Sequence, residues 1–248
     1  MENQHERTEM MLGREGLARL RASRVAVFGI GGVGGYAVEA LCRAGVGRLD
    51  LIDSDRVSLT NINRQIIATH KTVGMFKTDA MRERIAEINP EAQVTTYPVF
   101  YSRENRGDFD LTAYDYIIDA IDSVDSKVEL IAEATRLGVP IISAMGAGGK
   151  LDPTAFRVAD ISKTAVCPLA KAVRVRLRKM GINHLRVVYS EELPCPCPSD
   201  APVKESSDVE NPAEKRNPPP SISFVPSVMG LILAGEVIKE LAKNNRPE

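Results

Sequence analysis

Near the amino end, a run of glycines follows a short apolar stretch: Gly29-Ile30-Gly31-Gly32-Val33-Gly34 after Val25-Ala26-Val27-Phe28. Glycines at this spacing permit a tight turn and bring backbone N–H groups close to a phosphate, which then faces the N-terminus of the next helix. Asp53 closes the next apolar run, Leu49-Asp50-Leu51-Ile52, where an acid takes ribose hydroxyls. A dinucleotide site needs little more. Here Asp55, Asn61, Asn63, Arg64, Gln65 and Lys77 follow. Arginine offers phosphate oxygens a planar fork, and lysine a compact charge. Cationic groups beyond the needs of a pyrophosphate point to a triphosphate, so the cluster reads as an ATP site. A nicotinamide oxidoreductase would leave Arg64 and Lys77 without a task. Neither glycine run is a Walker-type loop: no Lys-Ser/Thr follows Gly34, and Leu151 follows Lys150 in Gly146-Ala147-Gly148-Gly149-Lys150.

A second candidate is Asp122, just past an apolar run from Tyr114 to Ala120. Ligands of open α/β sheets bind outside the carboxyl ends of strands, and an acid there can hold Mg²⁺ against phosphate oxygens. Ser123 or Asp125 would cap the following helix better, which leaves Asp122 free to ligate. Asp119 stands behind it. The four cysteines are Cys42, Cys167, Cys195 and Cys197. Cys195-Pro196-Cys197 supplies two thiols and Cys167 a third, short of the four ligands of a closed zinc site. Cys195 and Cys197 are either a nucleophilic or redox pair or incidental loop thiols, and both readings stay open. Cys42 is expected in the core. His5, His70 and His184 match no ligand spacing.

These groups need a scaffold, and strand and helix patterns alternate to provide it. A helix is expected over 7–21, a strand over 24–29, a helix over 33–44 and a strand over 48–53. Helix 76–89, strand 93–98, strand 114–120, helix 125–137 and strand 139–144 follow. The alternation predicts an α/β fold with a doubly wound, mainly parallel, Rossmann-like sheet. Residues 1–150 form the nucleotide-binding core. Residues 151–248 form an extension of the same domain with an additional sheet and helix: strands near 156–159 and 185–189, a basic helix near 168–180, and a last apolar helix over 226–243. Between them, 191–223 is rich in Pro, Ser and charge and is expected to be a mobile loop. Net charge is −1, so the chain is not basic as a whole. Lys163, Lys171, Arg174, Arg176, Arg178, Lys179 and Arg186 nevertheless concentrate positive charge, either as a solvated face or as a nucleic-acid surface. No apolar run approaches the roughly 20 residues of a membrane span, and no secretory signal is seen; a cytoplasmic setting with reduced thiols is expected.

The five motifs Gly29–Gly34, Ile52-Asp53-Ser54-Asp55, Thr60–Gln65, Val73–Lys77 and Asp119–Ser123 resemble the ubiquitin-activating-type adenylyltransferases, over roughly residues 7–150. The resemblance implies that ATP·Mg²⁺ activates a carboxylate as an acyl-adenylate. Asp53 would hold the ribose, Arg64 and Lys77 the phosphates, and Asp122 the Mg²⁺. Arg7 would reach into the site of a partner subunit, making a homodimer. Within this superfamily, the stretches Val57–Gln65, Ile117–Ser123, Gly146–Thr154 and Asp160–Thr164 resemble the tRNA threonylcarbamoyladenosine dehydratases. That branch implies a tRNA substrate carrying threonylcarbamoyladenosine at position 37, and Na⁺ or K⁺ near the 146–150 turn. The basic segment would then face tRNA. The alternative is activation of a ubiquitin-like sulfur-carrier protein. It is disfavoured by Ser123, where carrier activators have Asn, and by the lack of a second cysteine pair. Loop 191–223 would cover the site, touch tRNA or recruit a sulfur-transfer partner.

Overall fold

The computed structural model describes residues 4–195 and 219–243. The short apolar runs form strands β1 (Arg24–Phe28), β2 (Arg48–Ile52), β3 (Gln93–Tyr97), β4 (Tyr116–Asp119) and β5 (Ile141–Ala144). Helices α2 (Gly34–Ala44), α3 (Lys77–Ile88) and α4 (Val124–Leu137) connect them, and α1 (Glu6–Ala22) precedes them. β6 (Phe156–Asp160), α5 (Pro168–Lys179), β7 (Arg186–Ser190) and α6 (Phe224–Ala242) complete the order. Gly45 and Gly138 stop α2 and α4 at their C-caps in the left-handed conformation, with φ of 97° and 71°. The helix expected over 7–21 is broken at Gly13, whose φ of 73° and ψ of 166° no helix accommodates.

All seven strands join one sheet, in the order β3-β2-β1-β4-β5-β7-β6. The additional C-terminal sheet expected from the sequence is therefore an extension of the first. β7 pairs parallel with β5, and β6 closes the edge antiparallel to β7. The chain runs outward from β1 to β3, then returns to β4 on the other side of β1. Such a switch point opens a crevice at the carboxyl ends of β1 and β4, where doubly wound folds take ligands.

Successive side chains of a strand face opposite layers. On β1, Val25 and Val27 pack into the core shared with Leu41 of α2 and Met229 and Leu233 of α6. Ala26 and Phe28 face Tyr101, Phe109 and Leu130 on the other side. α6 crosses directly behind the first turn of α2. A Cβ at Gly230 would lie 2.2 Å from the Val33 carbonyl, so only glycine allows that approach. The last helix thus buttresses the glycine-rich turn.

Candidate active site

The glycine-rich turn sits at the carboxyl end of β1. Gly29 has φ +88°, and a Cβ there would lie 2.6 Å from the Ala120 carbonyl. A Cβ at Gly34 would strike the Gly29 carbonyl at 1.8 Å. These two glycines are dictated by the chain's own close approach, which holds the turn against the end of β4. Gly31 is different: among the described residues, the one atom near its missing Cβ is Gln65 Nε2, 3.9 Å away. Gly32 lies under Arg64 Cγ and Pro226 Cγ, each 3.4 Å from the Cβ position.

Asp53 follows β2 and turns its carboxylate toward that turn. One oxygen accepts the Ile30 N–H at 2.6 Å and the other the Asp55 N–H at 2.8 Å. Burial raises its pKa above the ordinary value, opposed by the Lys77 charge and by these two N–H groups. Lys77 begins α3, with its side chain only 7% exposed. Its Nζ lies 2.6 Å from Asp55 Oδ2 and 3.9 Å from Asp53 Oδ2. A buried ammonium between two carboxylates at the mouth of a crevice is poised to meet an anion.

The 59–65 segment carries the remaining groups. Arg64 is half-buried, and burial lowers its pKa; Nη1 donates to the Thr60 carbonyl at 3.1 Å and to Asn63 Oδ1 at 2.9 Å. Gln65 is buried, and among the described residues its Oε1 meets no hydrogen-bond donor. A buried carbonyl without a donor is costly unless a ligand or water supplies one. The structure uses Asn61 locally: its carbonyl accepts the Ser58 N–H at 3.1 Å and caps a short 3₁₀ turn. Asn61 thus shapes the turn that presents Arg64. Asp122 is exposed past β4, with no hydrogen bond or ion pair among the described residues.

Arg7 stands apart. It is exposed on the first turn of α1. His5, two residues earlier, packs on Gly45, beyond the C-terminal end of α2. The 11 residues of α2 put that end about 16 Å from the glycine-rich turn. One chain does not bring Arg7 to the other site residues.

Loop 191–223 departs from its sequence expectation at both ends. Glu192 holds the N–H groups of Leu151 and Asp152 at 2.9 Å each, and its backbone carbonyl accepts Lys150 Nζ. The Cys195 N–H donates to the Gly149 carbonyl at 2.6 Å, and Gly149 N–H to the Pro220 carbonyl at 2.7 Å. Asn63 Nδ2 donates to the Ser221 carbonyl at 3.0 Å. Both ends are therefore fixed on the 146–152 turn. Cys195 is exposed there; Cys197 lies outside the described residues. Cys42 is buried in the core.

The basic segment divides. Lys163, Lys171, Arg178 and Lys179 are exposed. Arg176, also exposed, pairs with Asp125. Arg174 folds back onto the Thr164 carbonyl at 2.9 Å, and Arg186 pairs with Glu236 and Glu240 of α6. Arg174 and Arg186 therefore brace the fold and do not belong to an open basic face.

Sequence reasoning missed Lys127. It is fully buried, as are Asp119 and Ser143. Its Nζ lies 2.8 Å from Asp119 Oδ2, 3.0 Å from the Ala144 carbonyl and 3.3 Å from Ser143 Oγ. The available signal was a lysine among the apolar, inward positions of α4.

Residues 5–248 match the ThiF family. The tRNA threonylcarbamoyladenosine dehydratase of Bacillus subtilis is 46% identical over 245 residues, covering 98% of this chain and 96% of its own. The crystal structure of the Escherichia coli tRNA N6-threonylcarbamoyladenosine dehydratase with AMP has 34% identity and a TM-score of 0.85, covering 96% of this chain and 93% of that one. The same E. coli protein with ATP has a TM-score of 0.83. The chain belongs to the ThiF family and, within it, to the tRNA threonylcarbamoyladenosine dehydratases.

Proposed function

We propose that this protein is an adenylate-forming cyclase that dehydrates threonylcarbamoyladenosine at position 37 of tRNA. The threonine carboxylate attacks the α-phosphorus of ATP and pyrophosphate leaves. A nucleophile within the modified base then attacks the activated carbonyl and expels AMP, so the ring closes with net loss of one water. A carboxylate is a poor acyl donor; AMP is a good leaving group. The observation that carries this reading is the buried Lys77 ammonium between Asp53 and the exposed Asp55 beside the glycine-rich turn, with the Gln65 carbonyl left without a donor among the described residues. That donor set fits ATP: an acid for the ribose, cations for the phosphates and an open turn for their oxygens.

In this reading Asp53 holds the ribose, and the turn from Gly29 to Gly34 supplies N–H groups. Arg64 and Lys77 neutralise charge on the phosphates, and Lys77 exchanges its Asp55 partner for them. Gln65 contacts the nucleotide from beneath Gly31. Mg²⁺ would be held by Asp122, a carboxylate with no partner among the described residues, and would supply charge neutralisation at the phosphates. Na⁺ or K⁺ by the 146–150 turn would draw on backbone carbonyls; that of Gly149 already accepts the Cys195 N–H and has one lone pair left. Arg7 acts in a homodimer from the partner subunit, since its own site is about a helix length away. Lys163, Lys171, Arg178 and Lys179 contact the tRNA backbone. Ring closure needs no enzyme-bound acyl group, so Cys195 and Cys197 are either a nucleophilic or redox pair beyond that minimum or incidental loop thiols; a sulfur-transfer partner would give them a further use. No helix among the described residues is long and apolar enough to cross a membrane, and the tRNA substrate sets the reaction in the cytoplasm.

The test is ATP turnover on tRNA carrying threonylcarbamoyladenosine, with mass spectrometry of the digested nucleosides. AMP, pyrophosphate and a nucleoside lighter by one water are expected. No turnover on that tRNA, with pyrophosphate exchange on a sulfur-carrier protein, would replace this reading with carrier activation.

A further inference from the structure

The Lys127 ammonium has three N–H bonds, and its three acceptors come from two strand ends. Asp119 Oδ2 belongs to the end of β4, and Ser143 Oγ and the Ala144 carbonyl to the end of β5. The lysine itself stands in the first turn of α4, where its backbone N–H donates to Ser123 at 3.0 Å. Ser143 Oγ also donates to Asp119 Oδ2, so the hydroxyl closes the ring of contacts. All three residues are fully buried. Leaving one member of such a set unpaired in the interior is costly, so the three elements move together or not at all.

The other oxygen of Asp119 bonds the segment that follows β4. Oδ1 accepts the N–H of Ile121 at 3.1 Å, the residue immediately before Asp122. The Ala120 N–H donates to the Phe28 carbonyl at 2.8 Å, and the Ala120 carbonyl is what excludes a Cβ at Gly29. The segment 119–122 is therefore tied on one side to the start of the glycine-rich turn and on the other to the buried lysine. Asp122 makes no bond that would fix it by itself.

We propose that Lys127 is a positioning residue for Asp122: through Asp119 it sets the place from which Asp122 meets Mg²⁺ on the ATP phosphates. The inference rests on the reading above that Asp122 holds the metal. Lys127 touches no substrate. It acts one step removed, through Asp119, whose Oδ1 holds the Ile121 N–H beside the metal-ligating carboxylate. The loss of a direct outer partner typically weakens metal binding about 10–100-fold, and the lower end of that range is expected here.

The test removes both charges at once, as Lys127→Met with Asp119→Asn, so that no lone charge stays buried. Three quantities are measured on the full chain: the melting temperature, the affinity for AMP without Mg²⁺, and the Mg²⁺ concentration that half-saturates ATP binding. The expected result is a folded protein with AMP affinity within about twofold of wild type and an Mg²⁺ requirement raised about tenfold. An unchanged Mg²⁺ requirement overturns the inference and makes the pair a scaffold contact. Equal weakening of AMP and Mg²⁺·ATP overturns it too, since the whole crevice would then have been disturbed. If the double variant does not fold, Ser143→Ala takes its place, with a smaller rise in Mg²⁺ requirement, about twofold to threefold, at constant AMP affinity; no rise overturns the proposal. A wild-type protein whose ATP binding ignores Mg²⁺ would instead remove the metal role of Asp122, and the inference with it.

Discussion

Two lysine–aspartate pairs stand on the crevice side of the sheet, one on each side of β1. Lys77 meets Asp55 at 2.6 Å, with the Asp55 side chain 65% exposed. Lys127 meets Asp119 at 2.8 Å, with both side chains at 0% exposure. The first pair is half open to water, and its ammonium has one close carboxylate and one distant one. The second is saturated: three acceptors for three protons, all from the protein. An exposed ion pair is worth little and exchanges its partners readily. A buried, fully bonded pair is costly to break from either side. The same two residue types therefore leave an ammonium able to change partners in one place and lock two strand ends to a helix in the other.

Substituting the lysines separates the two. Lys127→Met leaves Asp119 buried without its cation, which costs about 3–5 kcal/mol. For a chain of this size, that lowers the melting temperature by roughly 6–20 °C. Lys77→Met should cost less than Lys127→Met in the same melt, because Asp55 is left in water and only Asp53, 3.9 Å away, loses a neighbouring charge. Equal losses in the two variants would end the distinction. Activity should rank the other way for equal stability. Lys77→Met removes a cation aimed at the charge of the reacting phosphates, and turnover should fall about 10²–10³-fold. Single-turnover AMP formation measures it, and a drop under tenfold would take Lys77 out of the ATP site.

The two pairs were also unequally legible. Lys77 was readable because it falls in a string of polar groups after Asp53, within one βαβ unit. Lys127 was read as part of a helix, because its partner Ser143 lies 16 residues away on a strand of its own. Strand and helix periods report which face a residue takes. They do not report which distant residue meets it, and a buried lysine looks like a break in the apolar pattern until the sheet is assembled. The same limit explains Arg186. Its sequence neighbours are basic, yet α6 brings Glu236 and Glu240 to it from some fifty residues on. It also explains Glu192, which lies in a Pro-rich stretch but anchors the turn at 150–152 across the sheet edge. The strands, the switch point and the glycine-rich turn were legible because each is encoded locally.

Asp55 sharpens the comparison from the carboxylate side. While it holds Lys77, it competes with the ATP phosphates for the same ammonium. Asp55→Asn should release the lysine and tighten ATP binding. An exposed ion pair of about 0.2–1 kcal/mol sets the gain at roughly 1.4-fold to fivefold. Titration with a non-hydrolysable ATP analogue reads it. Weaker binding in Asp55→Asn would mean that Asp55 contacts the nucleotide itself, and the pair would no longer be an exchangeable one.

The smallest effect lies in pH, where site and scaffold carboxylates shift in opposite directions. Glu39 of α2 is buried beside Arg84 and Arg43, at 2.7 and 2.8 Å. Burial is the largest influence and pushes its pKa up, but the two guanidinium groups together bring it below 4.5. Asp53, with burial again the largest influence and Lys77 the main opposing charge, ends above 3.8. The signs follow. A carboxylate whose pKa is lowered by folding adds stability above its unfolded value and loses it as pH falls through its folded value. One whose pKa is raised opposes folding above its folded value, and that opposition fades as pH falls. Glu39→Gln should therefore lower the melting temperature at pH 7, by roughly 2–4 °C for about 1 kcal/mol. The gap to wild type should close as pH drops below 4.5. Melts of both proteins across that range decide it. A gap that stays constant down to pH 3 would mean that Glu39 acts through packing alone, and that the scaffold carboxylate carries no more electrostatic stabilisation than the one at the site.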